Sequence, residues 1–276
     1  MTVTNVAALP DFKLIPYTDT QAHPDSHPKI LRTSCWTYCG PLLPIDSART
    51  STLPPSYDTW QRATFNGSIT PLLLPFLRFA HAFIVDAGLT HYWLTIRASL
   101  PTGDYDTPRW HTDDDFFAAA DNSNTNISHD ISRDSNRTQW KLATTLIGPG
   151  TLFLSDSASG RATQSTITDH TRASTPPHTC TTVACPGCAA TADCIRQQLA
   201  TSLKDAHIKQ NAVGECAFFK VGKEVGAVHS EPAMRVPRVF VNVVPGREDE
   251  LRGVMRRWGM EFPRAWSLPP EGMHVR

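Results

Sequence analysis

The sequence predicts a mainly β fold, a barrel or jelly roll with flanking helices. Three observations point to it. The second half holds several short apolar strands separated by Gly and Pro turns. Arg238 to Val244 alternates, with Val239, Val241 and Val243 on one face and Arg238, Phe240 and Asn242 on the other. One helical pattern lies among these strands and one follows them. The 276 residues read as a single domain over 1–276, with no internal repeat.

Residues 1–60 are rich in Pro, Thr and Ser and read as an extended wrapping segment. Ile69 to Gly88 is predicted helical. Pro71 and Pro75 sit near its start, and Gly88 can cap its end. His91 to Leu100, rich in β-branched and aromatic residues, reads as a strand at the start of a barrel core over 90–246. A polar turn leads to a predicted strand from Trp110 to Phe117. Residues 118–138 are mostly Asn, Ser, Asp and Thr, a loop that can lie over a site as a lid. Trp140 to Ile147 and Thr151 to Leu154 read as strands joined by Gly148-Pro149-Gly150. Residues 155–192 read as a Cys-rich polar insertion. Asp193 to His207 is predicted helical from Ile195, Leu199 and Leu203. Gly214 to Val221, Val225 to His229 and Arg238 to Val244 complete the strands, and a charged helix spans Glu248 to Gly259.

Composition narrows the function. Lys plus Arg (26) equals Asp plus Glu (26), so the chain lacks the basic surplus of a nucleic-acid binder. Met1 to Pro10 has no basic region followed by an apolar core, and Pro71 to Leu77 is too short to span a bilayer. The expectation is a cytoplasmic protein without a membrane partner. In that compartment the seven cysteines are not expected to form disulfides. The sequons at Asn66, Asn126 and Asn136 then read as chance matches.

The densest chemistry lies at Arg109-Trp110-His111-Thr112-Asp113. In an extended strand, residues i and i+2 share a face, so His111 and Asp113 can set an imidazole beside a carboxylate. A second imidazole from His229 would complete a two-His, one-carboxylate face. Such a face binds iron(II) and leaves positions open for oxygen and another ligand. A bare His-x-Asp is common, and Asp113-Asp114-Asp115 can equally be an exposed acidic turn. Asp114 points to the opposite face, whereas Asp115 shares it and stays open as an alternative. His229 sits at a strand end before the turn Ser230-Glu231-Pro232; it can be a ligand or a core histidine with satisfied nitrogens. Arg238 begins an apolar strand, and a charge on an inward face needs a partner.

The order of these pieces resembles the Fe(II)/2-oxoglutarate-dependent oxygenases. His111-Thr112-Asp113, then His229, then Arg238 nine residues on follow that family's pattern. TLIGPGTLFL, GECAFFKVG and AVHSEP resemble a small branch of it, and the resemblance covers residues 90–246. Some fungal members act on amino acids in specialised metabolism, including aziridine-forming ones. The resemblance implies a double-stranded β-helix, a jelly-roll or cupin-like barrel. It implies Fe(II) on His111, Asp113 and His229, with 2-oxoglutarate as cosubstrate and O2 as oxidant. Arg238 would hold the distal carboxylate of 2-oxoglutarate through a bidentate guanidinium pair. Thr145 and Thr151 can donate to the same cosubstrate or serve as ordinary strand threonines. Arg235, six residues after His229, competes for the anchoring role. The outcome would be hydroxylation, desaturation or ring closure of a small molecule, an amino acid or a natural-product intermediate.

Two further features stand outside the pattern. Arg97 can bind a substrate carboxylate or lie as a surface strand Arg. Cys185-Pro186-Gly187-Cys188 forms the tight knuckle used by structural zinc, to be completed by two of Cys180, Cys194 and His178. Two other functions stay open on the sequence: a cupin-like metal enzyme that uses no 2-oxoglutarate, and a zinc-stapled interaction domain without enzymatic activity. Succinate formation separates the first from the oxygenase, and iron content separates the second.

Overall fold

The computed structural model describes residues 10–18, 28–45, 53–117, 138–176, 180 and 185–268. Residues 118–137, where the lid was expected, and His178 lie outside the described residues. In chain order the strands are β1 (Phe12–Pro16), β2 (Lys29–Ile30), β3 (Ser34–Pro41), β4 (Phe65–Asn66), β5 (His91–Ser99), β6 (Trp140–Ile147), β7 (Leu152–Leu154), β8 (Ile208–Gln210), β9 (Glu215–Lys220), β10 (His229–Ser230), β11 (Arg238–Gly246) and β12 (Arg264–Leu268). The helices are α1 (Pro55–Thr64), α2 (Thr70–Asp86), α3 (Ser157–Ser174), α4 (Pro186–Ser202) and α5 (Glu248–Arg257).

Seven strands form one antiparallel sheet in the order β1-β9-β6-β11-β5-β3-β12. A smaller antiparallel sheet runs β10-β7-β8. His111 adds a fourth rung to it through an antiparallel bridge to His229. From β5 onward the chain visits the large sheet, the small sheet at His111, the large at β6, the small at β7 and β8, the large at β9, the small at β10 and the large at β11. Strands β5-β11-β6-β9 thus oppose His111-β10-β7-β8. That winding is a double-stranded β-helix, the jelly-roll expected from the sequence.

The large sheet has two faces because strand side chains alternate. Tyr92, Leu94, Ile96 and Ala98 of β5 and Val239, Val241 and Val243 of β11 enter the main core. That core is closed by α2, whose buried Leu73, Phe76, Leu77, Ala80 and Ile84 keep helical spacing. The opposite face turns toward the small sheet. There Ala143, Ala217 and Phe219 meet Phe153 in a second apolar cluster. The residues between, Trp93, Thr95, Arg97, Phe240 and Asn242, are only half-buried. Among the described residues no helix is long and apolar enough to cross a membrane.

The structure departs from expectation in four places. Residues 1–60 do more than wrap: β1 joins one flank of the large sheet and β3 pairs with β5 on the other. Trp110 to Phe117 is not a continuous strand; it pairs only at His111, because β10 itself is two residues long. Much of 155–192 is helical. Asp156 caps α3 by accepting from the Ser159 amide (3.0 Å), and α4 begins at Pro186, seven residues ahead of the expected Asp193. Finally, β12 closes the sheet edge against β3, a pairing made across most of the chain length.

The turn between β6 and β7 generates a prediction. A Cβ on Gly150 would run into the Asn211 carbonyl oxygen, while the Asn211 Oδ1 already accepts from the Thr151 amide (2.8 Å). Gly150→Ala should therefore destabilise the fold by about 1–3 kcal/mol in urea unfolding. An unchanged midpoint would mean that the turn has room the structure does not show.

Candidate metal centre

The site begins with a backbone pair. The His111 amide donates to the His229 carbonyl (3.0 Å), and the His229 amide donates back to the His111 carbonyl (2.9 Å). Directly opposed residues in such a pair project to the same face, and the two rings lie 4.4 Å apart between centroids. Each ring is then fixed by its own chain. His111 Nδ1 lies 2.6 Å from the Arg109 carbonyl, and His229 Nδ1 lies 3.0 Å from the Ala227 carbonyl. A carbonyl only accepts, so each Nδ1 carries the proton and each Nε2 presents a lone pair. Asp113, two residues on, brings its carboxylate to 3.9 Å from His111 Nε2 and 3.8 Å from His229 Nε2. All three donor atoms fit within 4.8 Å of one another.

This donor set suits a divalent first-row ion such as iron(II). Its tautomers are already those that metal ligation requires, held by backbone carbonyls behind the ligands. His229 is buried and His111 is 38% exposed, so the cluster opens on one side only. Phe153 and Phe219 pack on the His229 ring at 5.7 and 5.0 Å between centroids. Of the neighbouring acids, Asp114 reaches Lys223 at 3.5 Å and Asp115 lies exposed against Gly222, so neither joins the cluster.

One member was not foreseen. Lys141 on β6 donates to Asp113 Oδ2 at 2.8 Å, its ammonium lying over Phe116 and Phe219 at 5.8 and 5.5 Å. Its sequence signal is faint: a lysine on the inward-facing positions 141, 143 and 145 of a strand otherwise without charge. Burial would raise the pKa of Asp113, but Lys141, His229 and His111 outweigh it and hold the carboxyl well below its usual range. Burial, reinforced by His111, pulls the pKa of His229 down to about 4. Both ligands therefore stand in their metal-binding protonation states at neutral pH.

A second constellation lies beside the first. Arg238, 4% exposed, donates from Nε to the Pro149 carbonyl (2.9 Å) and from one terminal nitrogen toward Thr151 (3.1 Å) and Thr145 (3.4 Å). Its guanidinium covers Phe240 at 4.6 Å. No described carboxylate makes an ion pair with it, and burial pulls its pKa down to about 10, leaving it charged at neutral pH. Thr151 is two residues along the small sheet from Phe153, which pairs with His229. At strand rise that is about 7 Å. Arg235 is mostly exposed and pairs with Asp106 at 2.9 Å, away from this group.

Arg97 shares the inward face, opposite Phe240 in the β5–β11 register. Among the described residues, its Nε and the Trp93 Nε1 are buried without a hydrogen-bond partner. Glu231, read in the sequence only as part of a turn, lies within electrostatic reach of Arg97. Burial would raise its pKa, but His111, His229 and Arg97 lower it further.

The thiols gather only in part as expected. Cys180, Cys185 and Cys188 lie within 4.8 Å of one another. Cys194 does not join them. It sits six residues beyond Cys188 on α4, about 9 Å of helical rise, where its sulfur meets Gln198 Nε2 at 3.1 Å.

No family model matches the chain, and no curated protein matches it. Among solved structures, a crystal structure of a Pseudomonas putida prolyl-4-hydroxylase is similar to it, at 12% identity and a TM-score of 0.31, over 87% of this chain and 95% of that one. The double-stranded β-helix assignment rests on the strand order itself.

Two predictions come from this geometry. Alanine at His111, Asp113 or His229 should sharply weaken iron(II) binding in anaerobic titration while the circular dichroism spectrum stays native. Full iron stoichiometry in His229→Ala would remove it from the ligand set. The second concerns pH. Between its ordinary value of 6.5 and about 4, the unfolded chain binds a proton at His229 that the folded, metal-free protein refuses. Stability must therefore fall as pH drops through that window, and the depressed Asp113 adds a further loss below its ordinary 3.8. Denaturation midpoints of the metal-free protein between pH 7.5 and 4 test this. His229→Gln should flatten the upper part of the curve.

Proposed function

We propose that this protein is an iron(II)- and 2-oxoglutarate-dependent oxygenase acting on a small molecule, with an amino acid or a natural-product intermediate as substrate. One observation carries the reading. A buried guanidinium without a described carboxylate partner lies on the inner face of the same barrel as a His-Asp-His cluster. A charge so buried calls for an anionic partner. In this reading His111, Asp113 and His229 hold the metal, and Arg238 with Thr145 and Thr151 grips the distal carboxylate of 2-oxoglutarate. Iron with its cosubstrate would supply the activation of O2 and the oxidation of a substrate C–H bond. The chain itself orients the ligands through the Arg109 and Ala227 carbonyls, keeps Asp113 ionised through Lys141, and excludes water with Phe153, Phe219 and Phe240.

The substrate class is read from Arg97 and Glu231. A half-buried guanidinium with an unpartnered Nε suits a carboxylate, and the nearby Glu231 suits an ammonium. Together they favour an amino acid. This agrees with the resemblance to amino-acid oxygenases of fungal specialised metabolism, which we carry forward as part of the proposal.

Succinate release in the presence of iron(II), 2-oxoglutarate and O2 tests the reaction class; its absence would favour a metal enzyme without this cosubstrate. Removing one partner of a desolvated charge pair costs roughly 2–5 kcal/mol. Arg238→Ala should then raise the 2-oxoglutarate dissociation constant about thirty-fold or more, read from the anaerobic visible band of the iron complex. Arg238→Lys should recover only part, since an ammonium cannot make two parallel hydrogen bonds. Arg235→Ala should bind 2-oxoglutarate like the unaltered protein. The reverse pattern would move the anchor to Arg235.

A further inference from the structure

We propose that Cys180, Cys185 and Cys188 bind a zinc ion, and that this ion fastens the α3–α4 hairpin that braces the two histidines from behind. The site is separate from the barrel interior and does not depend on the oxygenase reading.

The geometry comes first. Cys185 precedes the first residue of α4, Cys188 lies in its first turn, and Cys180 arrives from the connection that follows α3. Three thiols from three positions thus converge, with Cys180 Sγ 3.1 Å from Cys188 Sγ and all three within 4.8 Å. None forms a disulfide. Around a tetrahedral zinc with Zn–S bonds of about 2.3 Å, neighbouring sulfurs lie about 3.8 Å apart. The Cys180–Cys188 separation of 3.1 Å is shorter than that, and the 4.8 Å within which all three sulfurs lie leaves room for the small spreading a zinc would need. The fourth position of such a site goes to water or to one further donor.

Electrostatics agree. Without a cation, hydrogen bonds with Cys188 and Cys185 push Cys180 up to about 12 and keep it protonated. A zinc ion reverses this, because each coordinating thiol gives up its proton and binds as thiolate. Zinc with three thiolates carries one net negative charge. It would sit at the N-terminus of a 17-residue helix, where the helix dipole favours an anion.

The hairpin also needs a fastening. The buried residues of α3 are Ser157, Gly160 and Thr171, and that of α4 is Leu199, so the two helices share little apolar core. Their anchored ends are the start of α3 and the end of α4. Gly160 closes on Leu154 and Val228, the Ser157 hydroxyl accepts from the Val228 amide (3.1 Å), and Leu199 and Leu203 cluster with Trp110 and Val228. Trp110 and Val228 directly precede His111 and His229. The thiols sit at the other end of the hairpin, where the end of α3 and the start of α4 meet. A metal there would hold both helices against the backbone that carries the iron ligands.

The experiment uses the full chain, purified under reducing conditions without chelator and analysed for zinc and iron. About one zinc per chain is expected, matching a single structural site. Cys185→Ser and Cys188→Ser should lose it, whereas Cys194→Ser should keep it and His229→Ala should keep zinc while losing iron. Cobalt(II) added to zinc-stripped protein should give the intense visible bands of tetrahedral thiolate coordination. Trypsin should cut at Arg172 faster once zinc is removed. If the Ser variants fail to fold, the cobalt spectrum of the unaltered chain decides. Zinc-free protein that gives no such spectrum would overturn the proposal, as would zinc loss in Cys194→Ser or a mass two daltons low from a Cys180–Cys188 disulfide.

Discussion

The reciprocal hydrogen-bonded pair between His111 and His229 is the constraint on which the rest depends. It joins residues more than a hundred positions apart and makes two ring orientations one decision. Because opposed residues share a face, the second imidazole goes where the first one points. Because each Nδ1 is engaged by a carbonyl two residues back, the free lone pairs face one point. Asp113 needs only the i+2 rule to join them. Slipping this pair by one residue would send one ring to the far side of the sheet, and no side-chain rearrangement could restore the cluster.

The large sheet separates two kinds of chemistry by alternation alone. One face is an apolar interior shared with α2. The other gathers Lys141, Arg97, Arg238, Thr145 and Asn242 over the small sheet. Placing several cations on one half-buried face is costly unless anions arrive. Within the described residues Asp113 and Glu231 answer part of that charge. In the proposed function the remainder is what carboxylate-bearing ligands would answer.

Much of this was legible from the chain. The i, i+2 rule set His111 beside Asp113, and the structure brings His229 to the same cluster. His229 and Arg238 were singled out by the resemblance to the oxygenases rather than by periodicity. Helix α2 and strands β5 and β11 carry strong periodic apolar patterns and fall close to where they were expected. What escaped depends on partners far away in sequence. Lys141 and Glu231 matter only because of what the fold sets opposite them. Strand β12 is stabilised by pairing with β3 and has little pattern of its own. The helicity of 157–174 was hidden because its Ser, Thr and Ala residues give no apolar stripe; its N-cap at Asp156 is the signal that could have found it. Cys194 looked like a fourth thiol ligand by proximity in sequence, but helical rise carries it away from the other three.

The lysine on Asp113 has a consequence for how the protein matures. Three ligands gathered in a buried place would ordinarily repel or swell apart until an ion arrived. Here the ammonium of Lys141 acts as a resident counter-ion, so the cradle is already neutralised and shaped by the polypeptide alone. Folding and metal loading become separable events. If the cluster binds a metal as proposed, the Lys141–Asp113 pair means that the polypeptide alone already shapes the cradle, so the metal-free chain should reach its native form.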